Sequence, residues 1–308
     1  MTDPVDRAES VLRAACGDRV RRSFSLAPLT TFRIGGPAAL YLEPESDEDL
    51  VAAGEALAAS GLPFLVIGKG SNLLVSDAGF PGLVLRLGRG YRWAARDGDR
   101  LRAGGSMPLP AMSGVALRHA LAGLAFGVAI PATVGGAVRM NAGAHGHSMS
   151  DVVTSVEVIR LGGGRASSIA GAQAGFSYRR SALPEDAVVT GVTVTLEPGD
   201  PVAIRREMDA ARDWRRRTQP LAEPNCGSVF KNPPDDHAAR LIEAAGLKGR
   251  RVGGAQISTK HANFIVADPG AHSDDVLALI RSVQAAVEDD AGVRLEPEVH
   301  LVGAFDAE

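Results

Sequence analysis

The chain has 308 residues, 45% hydrophobic and 22% charged, with 33 Lys and Arg against 36 Asp and Glu. This composition belongs to a globular chain of two or three domains at about 100–150 residues each and excludes a disordered one. A net charge of −3 lacks the basic surplus of a nucleic-acid binder. Glycine stands at 36 residues, well above the usual share of about 7%, with no Gly-X-Y period. It falls in short clusters between apolar runs, where turns form or where backbone approaches a ligand. Cys16 and Cys226 make no C-x-x-C pair, which fits a reducing compartment and offers no zinc site. The start, Met1-Thr2-Asp3-Pro4-Val5, has no apolar signal region, so the chain is read as cytoplasmic.

Ser46 followed by Asp47-Glu48-Asp49 predicts a helix start, and Gly61 predicts its stop. Residues 64–67 read as a buried strand running into a glycine-containing loop, and 83–87 as another short strand. Residues 110–124 read as helix, with Leu117, Leu121 and Leu124 at helical spacing. The uncharged stretch 120–138 is long enough to raise a membrane span. Its glycines, alanines and Pro131 read instead as the end of a soluble helix followed by a buried loop. Strands are predicted over 156–161 and 188–196. Pro198-Gly199-Asp200-Pro201 marks a domain boundary. Helices follow over 202–217, 235–245 and 273–288, the last with Val276, Leu279, Ile280, Val283 and Val287 on one face. Arg215-Arg216-Arg217 ends the first of these, where cations are favourable without any ligand. Residues 263–266 read as a strand, and no internal repeat appears.

Five segments carry possible chemistry. Gly68-Lys69-Gly70-Ser71-Asn72 follows a strand, and such a loop can aim several N–H groups at one anion. It is neither a P-loop nor a Rossmann fingerprint, and a tight turn accounts for it equally well. Ile130-Pro131-Ala132-Thr133-Val134-Gly135-Gly136, continuing to Asn141-Ala142-Gly143, is uncharged and made of small residues. Its buried backbone needs partners, from a pyrophosphate or from neighbouring strands and water. Two such loops about sixty residues apart favour a dinucleotide-sized ligand. Tyr178-Arg179 stands between predicted strands; a solvated loop is the plainer account. Asn225-Cys226-Gly227-Ser228-Val229-Phe230-Lys231-Asn232 lacks a G-x-S-x-G elbow and has no visible Cys/His arrangement, so neither hydrolase nucleophile fits. In Glu296-Pro297-Glu298-Val299, Glu298 is the site candidate, and a solvated strand edge is the alternative.

Together with Thr31-Phe32-Arg33-Ile34-Gly35-Gly36-Pro37-Ala38, these segments resemble, in order and over roughly residues 31–303, the UDP-N-acetylenolpyruvoylglucosamine reductase family. The chain is similar to its shorter branch, which lacks a tyrosine-bearing insert. Two departures are Thr30 where many members have Asn and Cys226 where Ala is common.

The resemblance implies an α+β fold: an FAD-binding domain of two lobes, of the kind shared with p-cresol methylhydroxylase and vanillyl-alcohol oxidase, plus a C-terminal substrate-binding lobe. The lobes are expected at 1–88, 89–200 and 201–308. It implies non-covalent FAD, since the Gly68–Asn72 loop offers no His or Cys for attachment, and NADPH as co-substrate. Gly68, Lys69, Gly70, Ser71, Asn72, Ile130, Pro131, Ala132, Thr133, Gly135, Gly136, Asn141, Ala142 and Gly143 are the implied cofactor residues. Arg179 is the implied cation for charge building on the substrate, Glu298 its partner in polarising that region, and Ser228 the proton donor. Tyr178, Asn225, Lys231 and Asn232 are implied in the substrate pocket, with Gln256, Lys260, His261 and Asn263 placed there by neighbourhood. The implied partner is a small-molecule UDP-sugar, with no nucleic acid, no membrane insertion and a monomeric state. Two other readings are an oxidase of the same wide fold acting on a hydroxy acid, and a non-catalytic nucleotide-binding protein that kept the loops.

Overall fold

In the computed structural model, which describes residues 3–163 and 165–305, contacts collect the chain into two units. One holds the described residues of 1–23, 39–69 and 82–214; the other holds 24–38, 70–81 and those from 215 onward. Both mix helix and strand, the α+β class expected from the sequence.

The first unit is built on a five-stranded antiparallel sheet, ordered Ala166–Ala170, Val153–Arg160, Ala187–Thr195, Arg100–Gly104, Ala94–Asp97. The two strands predicted here form its centre. Their alternation explains why they pack on both sides: Val156 and Val158 belong to one core cluster, Ile159 to another. Helices Leu109–Arg118 and Val134–Arg139 share the first cluster. Helix Asp47–Ser60 shares the second, with Gly54 so close to the sheet that a Cβ there would meet the Leu161 carbonyl at 2.4 Å. That helix starts at Ser46 and stops at Gly61 (φ +72), as predicted. Helix Pro4–Cys16 packs against it, with Asp3 accepting from the Val5 N–H and Ala8, Leu12 and Cys16 buried.

The helix expected over 110–124 is shorter. It ends at Arg118 because Ala120 turns left-handed (φ +54), and Leu121–Ala122 then pairs with Glu197–Pro198. Leu121 and Leu124 are buried all the same, which is why their spacing looked helical. The uncharged stretch that follows is a 3₁₀ turn, Ala125–Ala129, and the short helix Val134–Arg139, not a helix end and a plain loop. Among the described residues no helix is long and apolar enough to cross a membrane. Asp200 caps helix Pro201–Thr218, accepting from Val202 and Ala203. Ile204, Met208 and Ala211 pack on Val128, so the division between units falls within this helix and not at the Pro198–Pro201 punctuation.

In the second unit, helix Ser273–Ala291 buries all five of its predicted apolar residues against a small antiparallel sheet of Arg251–Val252, Ala255–Ile257 and Ile265–Ala267. The predicted helix over 235–245 is confined to Ala238–Ala244, Asp235 being left-handed at φ +59. The last strand, His300–Val302, runs parallel to Leu73–Val75.

One ion pair in the first unit is a measurable anchor. Arg19 grips Asp49 through two hydrogen bonds of 2.5 and 2.6 Å. The guanidinium bond, outweighing burial, holds the Asp49 carboxyl at about 2. A carboxylate with a depressed folded pKa stabilises above its ordinary value near 4 and loses that contribution as pH falls toward 2. We expect the acid loss of stability between pH 4 and 2 to shrink by about 1–2 kcal/mol in Asp49→Asn, a value discounted for the half-exposed Arg19. Urea unfolding across that pH range measures it.

Candidate active site

Strand Phe64–Val66 pairs in parallel with Phe80–Leu85, and Ile67 adds one further bond to the Leu85 carbonyl (2.8 Å) before the chain enters Gly68–Lys69. Here the first unit opens a cavity of about 950 Å³, at the upper end of small-ligand sites. Gly68, Lys69, Thr133, Gly135 and Gly136 line it, all expected from sequence. The backbone approaches closely: a Cβ on Gly68 would stand 2.5 Å from Thr133 Oγ1. That oxygen is committed to capping helix Val134–Arg139 through the Gly136 N–H (3.3 Å). Among the described residues of the lining, the N–H groups of Gly68 and Lys69 donate to no acceptor, so they are open to an anion. Lys69, Arg86, Arg89, Arg92 and Arg139 line the cavity against Glu43, Glu185 and Asp186, a surplus of positive charge. Size, glycine walls, open donors and charge together fit a dinucleotide diphosphate.

The remaining expected cofactor residues are not among those that line this cavity. Gly70, Ser71 and Asn72 belong to the second unit. Ile130, Pro131, Ala132, Asn141, Ala142 and Gly143 do not line the cavity; Ile130, Ala132 and Ala142 pack on the core of the first unit, and Gly143–Ala144 pairs with His147–Ser148. The sequence reading passed over Arg86, Arg89, Arg92, Gly105, Ser106 and Arg139. The pair Gly104-Gly105 at a strand end was the available signal: a Cβ on Gly105 would strike the Val189 carbonyl at 2.0 Å.

Arg179 sits at the third position of a turn closed by two bonds, Ser177 N–H to Arg180 O (3.0 Å) and Arg180 N–H to Ser177 O (3.2 Å). Its φ is +56, a left-handed value that favours Gly or Asn. Arginine at such a position carries a conformational cost. The guanidinium lies 5.0 Å from the Tyr178 ring centroid, and Tyr178 is 54% exposed. Asn141, 7% exposed, donates to the Ser177 carbonyl (3.0 Å) and accepts from the Ser150 N–H (2.9 Å). Arg139 donates to the carbonyls of Leu183 and Pro184 (2.9 Å each) and Ala187; burial draws its pKa down.

Ser228 and Glu298 belong to the second unit. Gly227, φ +80, precedes Ser228. Glu298 donates its N–H to the Val229 carbonyl (2.7 Å), so the two expected residues sit on paired segments. Asn72 ties the second of these down, donating to the Glu298 carbonyl (3.0 Å) and accepting from the His300 N–H (3.0 Å). Asn263, 4% exposed, clamps the first: its amide donates to the Phe230 carbonyl (2.8 Å) and accepts from the Phe230 N–H (2.9 Å), while its own carbonyl takes the Val229 N–H. Asn225 spends its amide inside the loop, on Pro220, Glu223 and Gly227. Asn232 accepts from Ala238 at the next helix, and Lys231 pairs with Glu296 (2.5 Å). Gln256 bonds Gly249 and Arg251, and Lys260 reaches the Arg216 carbonyl. His261 accepts from the Asn263 N–H, and burial draws its pKa down. The Cys226 thiol is buried and its pKa is raised, first by burial and then by Glu298, which removes it as a nucleophile.

Comparison with known proteins is consistent along the chain. Residues 38–170 match an FAD binding domain family, and 219–302 match the C-terminal domain of UDP-N-acetylenolpyruvoylglucosamine reductase. The chain is 47% identical to the UDP-N-acetylenolpyruvoylglucosamine reductase of an Anaeromyxobacter species, over 96% of this chain and 94% of that one. It is 45% identical to UDP-N-acetylenolpyruvoylglucosamine reductase 2 of Symbiobacterium thermophilum over 98% of both. The crystal structure of the reductase from Thermus caldophilus superposes with a TM-score of 0.81 at 38% identity, over 92% of this chain and 99% of that one.

Two variants test the scaffold. Gly68→Ala pushes a methyl into Thr133 Oγ1 and should destabilise by about 1–3 kcal/mol while lowering flavin content, read by thermal melting and absorbance. Asn263→Ala leaves the Phe230 peptide unpaired and should cost about 1–3 kcal/mol in urea unfolding.

Proposed function

The chain belongs to the UDP-N-acetylenolpyruvoylglucosamine reductase family, and from that premise we propose how its own residues divide the work. The enzyme is an FAD-dependent oxidoreductase. It reduces the enolpyruvyl group of UDP-N-acetylenolpyruvoylglucosamine with NADPH, giving UDP-N-acetylmuramate for peptidoglycan synthesis. The cofactor, when bound, supplies a hydride relay between NADPH and the terminal carbon of the enolpyruvyl group. The expected lobes 1–88 and 89–200 hold it and the C-terminal lobe brings the substrate, supported by the matches over 38–170 and 219–302, with residues 201–214 grouping with the first unit by contact.

Gly68, Lys69, Gly135 and Gly136 hold the diphosphate, supported by the open donors and the cationic lining of the cavity. Negative charge builds on the substrate carbon next to the carboxylate as hydride arrives. Arg179 meets it with a fixed cation, an interaction that strengthens as the charge develops. The left-handed backbone at Arg179 is the observation that carries this assignment. Glu298 binds and polarises the same region. Ser228 gives the proton: a hydroxyl is a weak acid, but the carbanion-like species it meets is a strong base, and the hydroxyl stays protonated near neutral pH. Tyr178 and Lys231 contact the substrate, Lys231 exchanging Glu296 for a phosphate. Asn225 and Asn232 shape the pocket through their loop and cap bonds. The enzyme works in the cytoplasm, a reading supported by two free, buried cysteines, and as a monomer.

Ser228→Ala separates this reading from a structural one. Its NADPH half-reaction should proceed near the wild-type rate, while the enolpyruvyl half-reaction slows about 10²–10⁴-fold. Stopped-flow absorbance resolves the two halves, and equal slowing of both would refute the proton-donor role.

A further inference from the structure

We infer that Arg139 and Asn141 are positioning residues, which brace the Arg179 turn against the short helix whose glycines line the cofactor cavity. The inference rests on the role given to Arg179 above.

The turn needs holding. A left-handed arginine relaxes unless its surroundings over-determine it, and the turn's own two bonds join only Ser177 and Arg180. One further tie is made by Ala182, whose N–H donates to the Ala174 carbonyl (2.8 Å), and several come from the segment of Arg139 and Asn141. Before the turn, the Ser177 carbonyl accepts from the Asn141 amide (3.0 Å). Just after it, Ser181 Oγ donates to the Arg139 carbonyl (2.8 Å). Beyond that, the Arg139 guanidinium gathers the carbonyls of Leu183, Pro184 and Ala187. The bracing residues close the segment that begins at Thr133 and carries Gly135 and Gly136. A single rigid piece therefore sets both the cofactor wall and the loop bearing the cation.

Asn141 suits the task on two counts. Its φ is +42, a region that asparagine enters more readily than most residues. Its amide is used at both ends, on Ser177 and Ser150, leaving its carbonyl oxygen and one N–H committed within the protein. This makes a direct cofactor contact through that side chain unnecessary to explain the residue.

The test uses the flavin-loaded enzyme. Asn141→Gly keeps the left-handed backbone and removes the amide. The enolpyruvyl half-reaction should slow about 10–100-fold, the range expected when a reacting group is displaced from a distance. The NADPH half-reaction and the FAD dissociation constant, read by flavin fluorescence, should stay within about threefold of wild type, since the glycine N–H groups are untouched. Arg179→Met is the reference. Adding Asn141→Gly to Arg179→Met should slow the reaction no further, because the brace acts only through the guanidinium. Should Asn141→Gly fail to fold, Ser181→Ala removes one tie and should slow the same half-reaction about 2–10-fold. Wild-type enolpyruvyl rates in both brace variants, or a loss that adds in full to that of Arg179→Met, overturn the inference while leaving Arg179's role intact. A wild-type rate in Arg179→Met alone overturns that role, and the inference with it.

Discussion

The amide of asparagine repeats the two functions of a peptide, one donor and one acceptor, and can therefore stand in for a missing strand neighbour. The protein uses that equivalence wherever a chemically important loop leaves its sheet. Asn263 pairs with Phe230 as an adjacent strand would, and the Asn72 amide donates to the Glu298 carbonyl while its backbone carbonyl accepts from His300. Asn225 closes the turn before Ser228, and Asn141 joins Ser177 to Ser150. Loops free of ladder geometry can aim side chains in directions a strand forbids. They remain fixed because each side-chain amide satisfies backbone groups that would otherwise be buried unpaired.

Glycine works in the opposite sense. Where asparagine adds a group, glycine removes one, letting two backbones approach until no side chain fits between them. Gly68 lies against Thr133 and Gly105 against Val189. At these points the cavity wall is made of peptide groups, beside the charged side chains that complete it. Backbone groups held this way lose little side-chain entropy when a ligand binds.

Much of this was legible in advance, and the reasons differ by element. The central strands and helix Ser273–Ala291 were found because each buries one face, so period and burial coincide. The helix over 110–124 was overextended because Leu121 and Leu124 are buried for reasons unconnected with helical period. Helix Pro4–Cys16 went unread although Asp3 and Pro4 are a plain start signal. Around the site, the glycine loops announced themselves by composition. Arg86, Arg89 and Arg92 did not, because an arginine after a strand looks the same whether it faces solvent or a cavity. The sequence places these asparagines beside ligands and gives no sign of the backbone groups they also bond. A loop residue has no periodicity, and only coordinates reveal that both ends of its amide are spent within the chain.

The pairing of His300–Val302 with Leu73–Val75 has a consequence for biogenesis. The second unit draws on three separate stretches of chain, and its central parallel pair joins residues more than two hundred positions apart. While the ribosome is still at work, residues 70–81 have been made and their partner has not. That portion must wait, half-finished, until residues 300–302 have been made. Long-range parallel pairing is slow to form and leaves apolar edges open in the meantime, so the newborn polypeptide stays exposed to aggregation and chaperone capture for as long as that partner strand is missing.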